Sequence, residues 1–373
     1  MILCENGPKG EAVLFDGAQS HVVAWEPEGV APALAALDEA RAKGAWVAGY
    51  MAYEAGYALE QRLLPLMPPD RSGPLLAFGI YDAPVPADAV LAQAAQTPGG
   101  LSLPEPVLSR DDYDKAFARI AGYIAAGDCY QINLTFPMEA RLSGNPLGLY
   151  GRLRDRQGVA HGGFVDLGVG PVMISRSPEL FFTVSAAGKI AARPMKGTAP
   201  RDPDPARDAA LKTALFESEK NRSENLMIVD LLRNDIARIS QIGSVRVPEL
   251  YSVESFATVH QMSSTVEAQL QGAPGMAGLM PALFPCGSVT GAPKIRAMEI
   301  IREVEPAPRG LYCGSLGWMA PDGRAAFNVT IRTISLFGTR AVLNVGGGVV
   351  HDSTAAGEWE EALWKARFAT LQT

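Results

Sequence analysis

Runs of apolar residues at every second position recur along this chain, parted by one long helical stretch, and that grouping most narrows the folds open to it. CYQINLTFPME, PVMIS, LFFTVS and KIAARPM alternate before the interruption, and LGWMA, AFNVTIRTISLF and AVLNVGGGVV after it. The interruption, 202–235, reads as two helices: an Ala-rich one behind DPDP, then a longer one in which Leu226, Val229 and Leu232 form an apolar stripe. Two batches of strands around a helical middle predict a mixed α/β fold of two sheets. No short-period repeat of the solenoid kind is present.

Another helix is predicted over 110–126, where Tyr113, Phe117, Ile120 and Ile124 share a face behind an acidic first turn and Gly127 supplies a stop. Residues 1–85 mix short apolar runs with Gly and Pro and one helical stretch from Pro32 to Lys43, which reads as a lobe of strands and helix. A Pro-, Gly- and Ala-rich segment beginning at Asp82 puts a connector at 86–109. The remainder, 110–373, is expected to be the principal domain, with the whole chain forming one interwoven unit.

With 373 residues, 47% of them hydrophobic, the chain can bury a large core. Lys and Arg number 33 against 40 Asp and Glu and form no long basic block, which argues against nucleic acid or an anionic membrane as partner. Cys4, Cys129, Cys286 and Cys313 lie far apart without a CxxC pair or a Cys/His cluster, so neither a disulfide framework nor a structural zinc site is indicated. The N-terminus lacks a basic region followed by an apolar core, and no apolar run approaches membrane-spanning length. A cytoplasmic location is the expectation.

Several residues invite chemistry. In RPMKGTAPR, Lys196 sits between a strand and a turn that Gly197 and Pro200 permit, where it is either a solvated side chain or a nucleophilic or anion-holding amine. Glu217, Glu219 and Glu224 form one acidic cluster and Glu358, Glu360 and Glu361 another, with Glu358 and Glu361 on one side of a helix. Such carboxylates suit a hard divalent cation, and they equally suit a solvated helix face. Arg332, amid β-branched residues on an expected central strand, should have a carboxylate to hold. His260 is either a donor to substrate or a satisfied structural histidine. The glycines 346–348 follow an apolar strand, and Glu179 follows a proline before another. CGSVTGAPKIRAMEII does not meet the spacing of a phosphate loop, which excludes nucleotide binding by that motif.

Taken together and in order, GDCYQINLT, SRSPELFF, RPMKGTAPR, SENLMIVDLLRNDIARI, TVHQMSSTVEA, CGSVTGAPKIRAMEII, YCGSLGW, NVTIRTI, VGGGVV and GEWEEALWKA resemble the motifs of chorismate-utilising enzymes. The resemblance covers about 112–371, and GAWVAGYMAYEAGYALE near the N-terminus is similar to the aminodeoxychorismate synthase branch. The family comprises anthranilate, isochorismate, salicylate and aminodeoxychorismate synthases. Membership implies two large, mainly antiparallel sheets packed together and flanked by helices. Gln131 stands where water-adding members carry a lysine base, and Lys196 where anthranilate synthases carry alanine. The implied reaction is therefore amination of chorismate to 4-amino-4-deoxychorismate, on the route to 4-aminobenzoate and folate. Anthranilate synthesis, another chorismate reaction and a non-catalytic binding subunit are the alternatives.

By the same resemblance Lys196 is the nucleophile and Glu179 the general acid. Mg²⁺ would sit on Glu224 and Glu361, with Glu358 bridging through water, and bind the ring carboxylate. Arg332 and Tyr312 would hold the enolpyruvyl carboxylate beside the backbone N–H groups of Gly346, Gly347 and Gly348, while Gly197, Thr198, His260 and Gln131 complete the pocket. A neutral Lys196 amine is required for attack, so a pKa depressed by desolvation and by a nearby Mg²⁺ or arginine is expected. GGFVDL replaces the segment that contacts regulatory tryptophan in anthranilate synthases, so tryptophan feedback is not expected. The sequence carries no glutaminase signature, and ammonia is expected from a separate glutamine amidotransferase subunit or from solution.

Overall fold

The alternating runs become strands because β-branched and aromatic side chains fill both faces of a pleated, buried surface. In the computed structural model, which describes residues 1–256 and 259–371, they assemble into one eleven-stranded and one ten-stranded sheet among the described residues. The first runs from Gly291–Ala292 and the long strand Gln131–Gly144, itself paired antiparallel with Arg340–Val349, to Ile2–Cys4, Val13–Phe15 and Val85–Pro86. The second runs from Met195–Pro200 through Val259–Gln269 and Leu180–Val184 to Trp46–Met51, Leu76–Tyr81 and Ser20–Ala24. Two large antiparallel sheets with flanking helices are the architecture expected from the family resemblance. Strands from the first 85 residues lie in both sheets.

Helices fall where the apolar spacing puts them. Arg110–Ala125 buries Tyr113, Phe117 and Ile120, and Ser109 caps it by accepting the Asp112 N–H at 3.2 Å. The helical middle is Pro205–Glu217 followed by Glu219–Ala237. The segment read as a connector is more structured than its composition suggests. It carries the helix Asp88–Gln96, and Gly99–Leu101 and Glu105–Pro106 pair with the long strand. Low β-propensity there is overridden by an available strand edge.

AFNVTIRTISLF, read as one strand, is two. Ala325–Asn328 belongs to the second sheet and Thr333–Phe337 to the first, and the chain changes sheets between them. Arg332 adopts φ 50° at this crossing, so it lies off the central strand expected for it. A second crossing, from Val172–Ser175 to Leu180–Val184, runs beside it. The two are pinned together: Arg176 N–H donates to Arg332 O at 2.9 Å, Val329 N–H to Glu179 O at 3.1 Å, and Ser177 Oγ to Val329 O at 2.6 Å.

Beneath the crossings lies a buried ion pair. Arg309 donates to Glu305 through Nε (2.8 Å) and Nη2 (2.6 Å), and also to Asn133 O (2.6 Å) and Val289 O (2.8 Å). Glu305 in turn accepts the Thr135 N–H at 2.8 Å, and the ring of Tyr53 lies 4.6 Å from the guanidinium. Buried charges persist only when every lone pair and proton is answered, and this pair meets that condition. Arg309→Met leaves the Glu305 carboxylate without its cation and is expected to lower unfolding free energy by about 3–5 kcal/mol, read from urea denaturation; a wild-type midpoint would contradict the role.

Candidate active site

Lys196 reaches the space between the sheets because its strand is irregular. Met195–Pro200 pairs with Val259–Gln269 with a register shift between Met195 and Thr198, and Gly197 there takes φ 82°. Gln261 clamps the bulge, donating to Gly197 O at 2.7 Å and accepting from Thr198 Oγ1 at 2.9 Å. Lys196 then lines a cavity whose other walls come from both crossings and two helices. Glu179 comes from one crossing and Arg332 from the other. Glu224 and Lys220 come from Glu219–Ala237, and Glu358, Glu361 and Lys365 from Ala355–Ala366. The last helix is held by Trp359, stacked on Phe136 with ring centroids 4.7 Å apart and packed edge-on against Tyr113 at 5.0 Å.

The glycine-rich strand end forms the floor. Gly346–Gly348 pair with Thr135, Leu134 and Asn133 on one side, while pairing with Thr333–Phe337 on the other stops at Leu343. One backbone edge therefore stands open, and Lys365 Nζ donates to Gly346 O across 2.9 Å. A Cβ on Gly347 would come within 2.7 Å of Glu358 Oε2, so glycine lets that carboxylate approach, while Glu361 Oε1 at 3.7 Å would be in ordinary contact.

Burial sets the electrostatics. It pushes the Lys196 amine below its ordinary pKa, against Glu224 and Glu179, which favour the charged form. Among the protein's own groups the cationic neighbour that adds to this is Lys365, rather than the arginine that the sequence suggested. Burial raises Glu179, opposed by the Ser288 hydrogen bond and the Lys196 charge, and it raises Glu224 and Glu358. Glu361 is also pushed up by burial, yet Lys365, Lys196 and Lys220 together bring it below the ordinary carboxyl value. Burial lowers the Arg332 guanidinium.

The cavity gathers Lys196, Thr198, Glu179, Glu224, Glu358, Glu361, Tyr312, Arg332, Gly346 and Gly348, and excludes four other expected residues. Gly197 shapes it from behind, and Gly347 faces the Glu358 and Glu361 carboxylates. His260 turns away: its ring nitrogens meet Ser255 Oγ and Asp208 Oδ1, each at 2.9 Å. Strand alternation explains this, because His260 and Gln261 face opposite ways and Gln261 takes the cavity side. Gln131 is buried behind Gly348, with both side-chain amide atoms unpartnered among the described residues. Glu217 and Glu219 stay in solvent. Sequence reasoning missed Lys220, Lys365, Ser288, Asn133 and Asn344, all of which line the cavity. Lys365, four residues after Glu361 and 2.7 Å from its Oε1, was legible as a helical ion pair.

Glu224, Glu358 and Glu361 are hard oxygen donors on one cavity, and the missing Cβ of Gly347 keeps the space beside two of them clear. In kind they fit a divalent cation such as Mg²⁺. Among the described residues no three Asp, Glu, His or Cys groups already stand gathered as a metal cluster. Nor is any helix of the described residues long and apolar enough to cross a membrane.

The family described as chorismate binding enzyme matches residues 2–370. The chain is 44% identical over 258 residues to aminodeoxychorismate synthase component 1 of Klebsiella aerogenes, a match covering 69% of this chain and 57% of that one. It is 41% identical over 261 residues to anthranilate synthase component 1 of Streptomyces coelicolor, covering 70% and 51%. The matched stretch thus spans little more than half of either relative. Anthranilate synthase component I of Streptococcus pneumoniae superposes with a TM-score of 0.81 at 25% identity, covering 96% of this chain and 92% of that one.

The pKa of Lys196 is expected to lie below the 10.5 of an ordinary lysine, and removing the Glu179 charge with Glu179→Gln is expected to lower it further. Titration of ¹³C-dimethylated lysines by NMR measures both. A Lys196 resonance titrating with the solvent-exposed lysines would contradict the account.

Proposed function

Since the chain belongs to the chorismate binding enzyme family, we propose that it aminates chorismate to 4-amino-4-deoxychorismate, with Lys196 as nucleophile. The observation that carries this reading is the Lys196 amine, lowered in pKa by burial and lining one cavity with Glu179 and Arg332. Chorismate must lose its C4 hydroxyl, a poor leaving group. Attack by the neutral amine at C2 shifts both conjugated ring double bonds, C1=C2 to C1=C6 and C5=C6 to C4=C5, and expels that hydroxyl, which leaves as water with a proton from Glu179 while the new ammonium sheds a proton. Ammonia then adds at C4 and loses a proton, both double bonds shift back, and the lysine departs as an amine, taking a proton up.

Protein charges answer the substrate's two carboxylates. Arg332 with Tyr312 suits the enolpyruvyl carboxylate, and Lys365 and Lys220 add positive charge near the acidic helices. Mg²⁺ held by Glu224, Glu358 and Glu361 would neutralise the ring carboxylate. Gly197 and His260 act from behind the cavity, as supports for the Lys196 strand. Ammonia comes from solution or from a glutamine amidotransferase subunit, consistent with the name component 1 of the relatives. A cytoplasmic site of action suits such a reaction.

Incubation with chorismate, ammonium and Mg²⁺ is expected to give 4-amino-4-deoxychorismate by mass and chromatography; anthranilate with pyruvate would favour the alternative reaction. Lys196→Ala is expected to lose amination at least a hundredfold, on the scale of a lost covalent route. Wild-type turnover in that variant would remove the nucleophile from the account. EDTA is expected to stop turnover and Mg²⁺ to restore it, whereas metal-independent turnover would discard the carboxylate cage.

A further inference from the structure

A short 3₁₀ turn, Gly287–Val289, meets the cavity beside Glu179. Ser288 Oγ donates to Glu179 Oε1 at 2.6 Å, and both residues are about 5% exposed or less. Among the described residues Glu179 Oε2 has no hydrogen-bond partner, and Glu179 lines the cavity. The turn is fixed on every side. Asn133 N–H donates to Thr290 O at 2.8 Å, Thr290 Oγ1 to Gly287 O at 3.2 Å and Arg309 Nη1 to Val289 O at 2.8 Å. Cys286 Sγ lies 3.2 Å from Ser288 Oγ, so its thiol proton can satisfy the serine oxygen while the serine proton is given to Glu179.

We infer that Ser288 is a positioning residue for the general acid: by occupying Oε1 it confines the acidic proton of Glu179 to Oε2, the oxygen left free for substrate. This rests on the reading of Glu179 as the proton donor. A carboxylic acid has one proton and two oxygens, and a buried acid without a fixed donor divides that proton between them. With Oε1 held as acceptor, Oε2 carries the hydrogen. When that proton passes to the departing hydroxyl, the same serine hydrogen bond steadies the carboxylate that forms. The titratable and charged groups around this carboxyl are Lys196 from the edge strand, Cys286 ahead of the turn, Cys313 and Tyr312 from the neighbouring loop, and Arg332 from the adjoining crossing.

The test is the pH profile of kcat and KM for chorismate with saturating ammonium, for wild type, Ser288→Ala, Ser288→Thr and Glu179→Gln. Ser288→Ala is expected to lower kcat about tenfold with KM within twofold. It is also expected to move the alkaline limb of kcat upward, because a hydrogen bond favouring the ionised form is gone. Ser288→Thr restores the hydroxyl and is expected to restore the limb. An unmoved limb in Ser288→Ala, whether or not kcat falls, would overturn the positioning role. Should Ser288→Ala fail to fold, Ser288→Cys, a weaker donor, is expected to shift the limb in the same direction, and an unshifted limb there overturns the role equally. Glu179→Gln separates the two layers: full activity in that variant removes Glu179 as the acid, whereas an inactive Glu179→Gln with a wild-type Ser288→Ala removes Ser288 alone.

Discussion

The site depends on a half-buried lysine amine held among carboxylates, where burial and their charges pull its pKa in opposite directions. Desolvation disfavours the ammonium, and Glu224 and Glu179 favour it. Burial wins, because the cavity is walled by two sheets and two helices and desolvation grows with every wall. The same burial raises Glu179, so the base and the acid are displaced toward each other from their ordinary values. Displacements in these directions narrow the gap in proton affinity between the two side chains relative to water.

Part of what positions the site follows from how the chain changes sheets. Two adjacent crossings, tied backbone to backbone, carry Glu179 and Arg332 to the same place. The Arg309–Glu305 pair beneath them reaches Asn133 and Val289, two residues of the cavity wall. That arrangement makes the polar core a scaffold for the site, and accounts for so costly a buried charge in a large hydrophobic protein.

Much of this was legible in the residues. Period-two alternation located Gln131–Gly144, Arg340–Val349 and several strands between them, and 3.6-residue spacing placed Arg110–Ala125 and Glu219–Ala237 nearly to the residue. What escaped was long-range. NVTIRTI reads as one strand because nothing local marks a change of sheet, so Arg332 was put on a central strand rather than at φ 50° in a crossing. His260 was assigned to the pocket when strand parity gives that face to its neighbour Gln261. Ser288 carried no sequence signal, since its partner Glu179 lies 109 residues away. Lys196 and the helix acids were ambiguous by composition alone, and their likeness to a family separated them from surface residues.

The most direct trial of the central claim is to supply chorismate and Mg²⁺ without ammonia, quench, and map the protein by mass spectrometry. The account predicts a peptide containing Lys196 heavier by chorismate less one water, lost again when ammonium is added before the quench. Product formation in the presence of ammonium, with no adduct at any lysine in its absence, would contradict it.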